Sequence, residues 1–164
     1  MLDALKIAGY FAQKYKNKFR EEIDEMKLHK LIYFFLRECY VDNACPTIDI
    51  ALEARQYGPV SLEIREAYKH QMNYGYPSAE ELAQFGETMD RVFNSYAGKS
   101  SWSLRSLTHG EQAWIEARKR FESGKGALID KEDIKCDASR IRIRRYIFNL
   151  YHSVVSSRNE LLQV

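Results

Sequence analysis

The chain has 164 residues, 45% hydrophobic, 13% aromatic and 29% charged, which is the make-up of one folded domain with a single core rather than of a disordered or fibrous protein. Its 25 Lys and Arg against 23 Asp and Glu leave a net charge of +2, too balanced for total charge to argue for nucleic acid. Cys39, Cys45 and Cys136 form no CxxC pair, the apolar run LIYFFL at 31–36 is far short of the roughly 20 residues of a membrane span, and the N-terminus lacks the pattern of a secretory signal. A disulfide framework, a structural zinc site and a membrane anchor are therefore not expected, and a cytoplasmic protein is.

In residues 2–19, Leu5, Ala8, Ala12, Tyr15 and Phe19 recur at helical spacing with lysines opposite, which predicts a first amphipathic helix. Asp24 is placed to cap a second, in which Leu28, Leu31, Ile32, Phe35, Leu36 and Cys39 predict the centre of the core. After Cys45-Pro46 the period changes to two: Ile48, Ile50, Leu52 and Ala54 alternate with Asp49, Ala51, Glu53 and Arg55. That pattern predicts a short half-buried strand or hairpin around residues 47–55. Gly58-Pro59 then predicts a break, with Pro59 in the first turn of a helix reaching about Met72 and facing Ile64, Ala67 and Tyr68 inward.

Ser78-Ala79-Glu80-Glu81 has the form of a capping box, and Leu82, Phe85, Met89, Val92, Phe93 and Tyr96 follow on one face. Trp102–Leu107 reads as a short helical turn and 123–126, SGKG, as a loop. Thr108-His109-Gly110-Glu111 repeats the capping-box spacing before Trp114, Ala117 and Phe121, whose spacing predicts an inward face. Asp130 is placed to cap a further short turn. A last helix is predicted from about Ser139, with Ile143, Ile147, Leu150 and Val154 on one stripe patterned to pack against the domain, a second copy or a partner; if Ile143 and Ile147 face the core, Arg140 and Arg144 face solvent. Charge is least even here: five arginines (140, 142, 144, 145, 158) stand against Asp137 and Glu160.

The candidate chemistries are few. His109 and Glu111 copy the H-x-E of zinc deaminases, but the P-C-x-x-C that chemistry needs is absent, so no metal site is expected. HExxH, GxSxG, GxxxxGK[ST] and GxGxxG are also missing, which lowers the case for an enzyme or a cofactor. His29, His70 and His152 stand far apart and read as surface or helix-face residues. The RIRIRR run at 140–145 is the best case for phosphate binding, because clustered guanidinium groups release counterions. An arginine face serves an acidic protein partner equally well.

Four pieces in order, MKLHKLIYF at 26–34, IDIALEA running into RQYGPV at 55–60, the long helix ending at Tyr96, and LRSLTHGEQAW at 104–114, resemble the Panacea domain, the SocA-like group of phage-associated proteins. The resemblance covers about residues 1–136. It departs from the family's pattern at Arg55, where Trp is frequent, and at Ala113, where Pro is frequent, and residues 137–164 stand outside it as a basic C-terminal helix. What it implies is a mainly α domain with a small β-hairpin, not an enzyme and without cofactors, acting as a bacterial antitoxin, commonly of prophage or mobile DNA, that neutralises a neighbouring toxin by direct contact. The motif residues Lys30, Tyr33, Tyr57, Gly58, Pro59, Val60, Thr108, His109, Glu111 and Trp114 then build the fold or touch the partner. Arg55, Arg140, Arg144 and Arg145 are the candidates to select it. An adaptor that delivers a client to a protease, a nucleic-acid-binding regulator using the arginine face, an undetected enzyme and a homo-oligomer stay open.

Overall fold

A computed structural model describes residues 2–43, 48 and 50–161, the last five as backbone only. Among the described residues the chain is mainly α, with seven helices and one two-stranded sheet: α1 (Ala4–Phe19), α2 (Glu25–Val41), β1 (Glu53–Arg55), β2 (Gly58–Val60), α3 (Leu62–Lys69), α4 (Ala79–Tyr96), α5 (Ser101–His109), α6 (Gln112–Glu122) and α7 (Lys131–Leu161). No helix among these residues is long and apolar enough to cross a membrane.

Helix α2 is the axis. Every residue from Lys27 to Cys39 is buried, because α1, α3, α4, α5, α7 and β2 all pack on it. Asp24 starts it as expected, accepting from the Lys27 backbone N–H at 2.9 Å, and its second oxygen accepts from the Ser101 hydroxyl at 2.7 Å, so one carboxylate caps α2 and anchors the start of α5. Ser78 and Glu81 form the expected capping box of α4. Phe85, Met89, Val92 and Phe93 then bury against the core. Gly9 lets the segment before α4 cross α1, since a Cβ there would lie 1.9 Å from the Gly75 carbonyl oxygen.

Ile48, Ile50, Leu52 and Ala54 are buried as the two-residue period predicts, while positions 45–47 and 49 of that stretch lie outside the described residues. Regular pairing is shorter and later than expected. β1 and β2 are antiparallel with Glu53 opposite Val60, Ala54 opposite Pro59 and Arg55 opposite Gly58. Pro59 therefore sits in a strand, not in the first turn of a helix, and α3 begins only at Leu62 after Ser61. The strand tolerates proline because Ala54, opposite it, donates its N–H outward to the Ala127 carbonyl at 2.7 Å, so no ladder bond is lost.

Further expectations fail around the junction of α5 and α6. Trp102–Leu107 belongs to a nine-residue helix, α5, and Thr108 lies within it with its hydroxyl donating to the Arg105 carbonyl at 2.9 Å, not capping α6. The α6 N-terminus is capped from α7, where Asp137 accepts from the backbone N–H groups of Gln112 at 2.9 Å and Ala113 at 2.8 Å. Phe121, expected inward, is exposed and lies under the Arg118 guanidinium.

The last helix starts at Lys131 rather than near Ser139, after Asp130 has accepted from the Glu132 N–H at 2.8 Å, so the expected short turn and the long helix are one element. Its Ile134 and Ala138 are buried, and it packs on α2 and α6. Beyond that the core-facing orientation is not adopted. Ile143, Ile147, Leu150 and Val154 are all exposed, and it is Arg142 and Arg145 that face the body.

Candidate functional site

The motif residues form one face, where the hairpin turn lies over α2 and between α5 and α6. Gly58 takes φ +106°, which L side chains rarely adopt, and a Cβ there would lie 2.7 Å from the Lys30 side chain and 2.8 Å from the Thr108 hydroxyl. Beneath it Lys30, though charged, is only 1% exposed, and its amine donates to the Pro59 carbonyl at 3.4 Å. Burial pulls this amine down to about 8, against the raising effect of Asp24 and Glu25. One residue earlier, His29 accepts from the Ser61 N–H through Nδ1 and lies 3.4 Å from Glu25 through Nε2. It is buried rather than at the surface, and burial together with the Lys30 charge pulls it down to about 4, so it is neutral at pH 7.

Deeper in the same face is a charged cluster that the sequence patterns did not single out. Arg37, in the middle of α2, donates to Glu111 at 2.6 Å, to Glu38 at 3.0 Å and to the Tyr96 hydroxyl at 2.8 Å. Burial works against its charge, but Glu111, Tyr96 and Glu38 outweigh it and raise the guanidinium above its ordinary value. Glu111 also accepts from Tyr33 at 3.4 Å and is raised by burial in spite of Arg37. That engagement is why Thr108 and Glu111 do not act as a capping box. The signal available in the sequence was Arg37-Glu38 directly after the apolar run at 31–36, since a buried charge requires a partner.

Above this layer the face is aromatic and basic. His109 stacks on Trp114 with ring centroids 3.7 Å apart, and Trp114 donates from Nε1 to the Arg55 carbonyl at 3.2 Å. His109 and Glu111 thus serve different partners and do not converge as H-x-E metal chemistry requires. His109 is pulled down to about 4 by burial and then by Arg105, Lys30 and Arg118, and its Nε2 is buried with no hydrogen-bond partner among the described residues. It lies in a shallow cleft with Gln56, Arg105, Trp114, Ile115 and Arg118. Beside the cleft, Tyr57 (46% exposed) meets Trp102 (60% exposed) edge to face, and the Arg105 guanidinium lies 5.8 Å from both rings. Trp102 precedes the 104–114 stretch and Arg105 lies within it, and neither was singled out as a motif residue.

A family model described as antitoxin SocA-like, Panacea domain, matches residues 28–115, more than half of the chain. The chain belongs to this family. No curated protein and no solved structure matches it. The Panacea match is narrower than the expected resemblance over 1–136: it begins inside α2, ends inside α6, and leaves α1 and α7 outside. All ten motif residues lie within it. Lys30, Gly58, Pro59, Val60, Thr108, Tyr33 and Glu111 form the underside of the Panacea face and hold the hairpin to α2 and α5, whereas Tyr57, His109 and Trp114 reach its outer side.

The expected arginine face is divided. Arg55 pairs with Glu53 at the hairpin edge, within the motif face. Arg145 binds Glu38 at 2.9 and 3.0 Å and so ties α7 to the buried cluster. Arg142, not among the candidates, donates to the Val41 and Tyr40 carbonyls at 3.0 and 2.7 Å, placing a cation on the C-terminus of α2. Arg144 lies in an apolar groove with Ile147, Phe148 and Tyr151, and Arg140 is 3.8 Å from Asp137.

Proposed function

We propose that the chain is an antitoxin which neutralises a cognate toxin encoded beside it, by direct protein–protein contact in the bacterial cytoplasm, without catalysis or a cofactor. The toxin sits on the exposed Tyr57, Trp102 and Arg105 face. The observation that carries this is the Panacea-domain match, with the motif residues it contains spent on holding one rigid hairpin under that face. Tyr, Trp and Arg are the residue types that dominate binding energy at protein interfaces, and here the Arg105 guanidinium lies against the Tyr57 and Trp102 rings. The rival nucleic-acid reading loses support, since Arg142 and Arg145 of the basic run are bound to α2 carbonyls and Glu38.

The test is expression of the adjacent open reading frame with and without this chain, followed by co-purification. Growth arrest relieved by the chain, with co-elution of the pair and loss of both in a Trp102→Ala, Arg105→Glu double variant of unchanged melting temperature, is the expected result. A harmless neighbour, or full protection by the double variant, overturns the function or its site respectively.

A further inference from the structure

We infer that the distal half of α7 is a self-association surface, which pairs in parallel with the same segment of a second copy of this chain. Ile143, Tyr146, Ile147, Leu150, Tyr151 and Val154 are each more than half exposed. They form one continuous stripe at intervals of three and four residues. Nine residues, about two and a half turns, separate buried Ile134 from Ile143 and buried Ala138 from Ile147. The stripe therefore points away from the chain's own body, and Arg142 and Arg145, bonded to α2, prevent the helix from rolling over to bury it.

The occupant follows from the pattern. The spacing 143, 147, 150, 154 is a heptad seam with Ile147 and Val154 at a and Ile143 and Leu150 at d. β-branched residues at a with Leu at d, the arrangement of Ile147, Leu150 and Val154, favour two parallel strands. In that pairing the flanking e and g positions bring Tyr146 of one copy to Tyr151 of the other and Ser139 to Arg144, so no like charges meet at the flanks, while Arg140, at the a position before Ile143, lies 3.8 Å from the Asp137 carboxylate of its own helix. An area on the order of 100 Å² from each of these half-exposed side chains gives about 600 Å² per copy, or about 1,200 Å² in total. That is the lower limit of specific interfaces and fits a reversible dimer. The surface lies outside the Panacea match and apart from the Tyr57–Trp102 face, so the inference stands or falls independently of the antitoxin reading.

Sedimentation equilibrium of the full chain from low micromolar to submillimolar concentration tests it, alongside Ile147→Asp. Ile147 is 58% exposed, so its replacement leaves the monomer's core untouched. The expected result is a mass that rises from one copy to two in the parent chain and stays at one in the variant, with equal melting temperatures at low concentration. A parent chain that stays monomeric, or a variant that still dimerises, overturns the inference. A monomeric parent whose stripe is needed only for binding the adjacent gene product assigns the surface to that partner instead. Orientation is read from Val154→Cys in a Cys45→Ser, Cys136→Ser background: oxidation to a covalent dimer is expected of a parallel pair, and a dimer that does not cross-link overturns the register.

Discussion

The two ends of α7 share one helix and opposite chemistry. Its first half is buried through Ile134, Asp137 and Ala138, and continues into the body by charge, with Arg142 on the α2 carbonyls and Arg145 on Glu38. Its second half carries a stripe of Ile, Leu, Val and Tyr that is exposed among the described residues. The difference teaches that an amphipathic pattern identifies a face to be covered but not which neighbour covers it. In this protein the body has already used α2 as its apolar centre and offers α7 an acidic cluster and a helix end, so arginines turn inward and aliphatic residues outward.

Breaking the inward side should have the largest effect. Arg37→Leu leaves Glu111 and Glu38 without their central partner, and stability in urea should fall by about 3–5 kcal/mol, the cost of an uncompensated buried charge. A loss below about 1 kcal/mol would mean that the cluster is held instead by Arg145 and by Arg91 of α4, whose guanidinium lies 3.8 Å from Glu38.

Acid should act on the same half of the molecule. His29 is held near 4 in the folded chain against an ordinary 6.5, so the unfolded chain binds more protons between those values and stability falls as pH drops through that window. From pH 7 to pH 5 the loss should be about 2 kcal/mol at His29, since one pKa unit corresponds to about 1.4 kcal/mol. His29→Asn should flatten the curve of melting temperature against pH over this range, and an unchanged slope would transfer the effect to other groups.

Gly58→Ala should cost about 2 kcal/mol, from a φ of +106° and from contact with Lys30 and Thr108. Chemical denaturation gives the loss, and near-neutral substitution would show that the hairpin turn can relax. Asp137→Ala removes the cap that α7 supplies to α6 and should cost about 1 kcal/mol. A larger loss, with hydrogen exchange released along α7, would show that this cap also docks the helix.

The outward half should respond least. Ile147→Asp should change the monomer's unfolding free energy by no more than about 0.5 kcal/mol, as exposed positions do, while removing the dimer. A strong destabilisation of the monomer would erase the contrast between the two halves of the helix.

Much of the fold was legible because its signals are local. The caps at Asp24 and Ser78 need only the next turn, the α2 and α4 stripes need only their own period, and the buried alternation of Ile48, Ile50, Leu52 and Ala54 needs only the pleat of an extended chain. The motif face was legible through the family resemblance, which named Lys30, Gly58, Thr108 and Trp114 in positions that converge in space. Trp102 and Arg105 were not, because an exposed aromatic next to an arginine has no pattern until Tyr57 is brought against both.

By itself the sequence determined the mainly α class, the apolar centre of α2 and the starts of α2 and α4, which depend on residues within a few positions of one another, and the Panacea family, which depends on the order of short motifs along the chain. Tertiary structure alone decided the capping of α6 by Asp137, the placement of Pro59 in a strand, the pairing of Arg37 with Glu111 and the direction in which α7 turns its apolar stripe. Each of these joins groups distant along the chain, and for such groups the partner is chosen by which surfaces the rest of the fold has left unsatisfied.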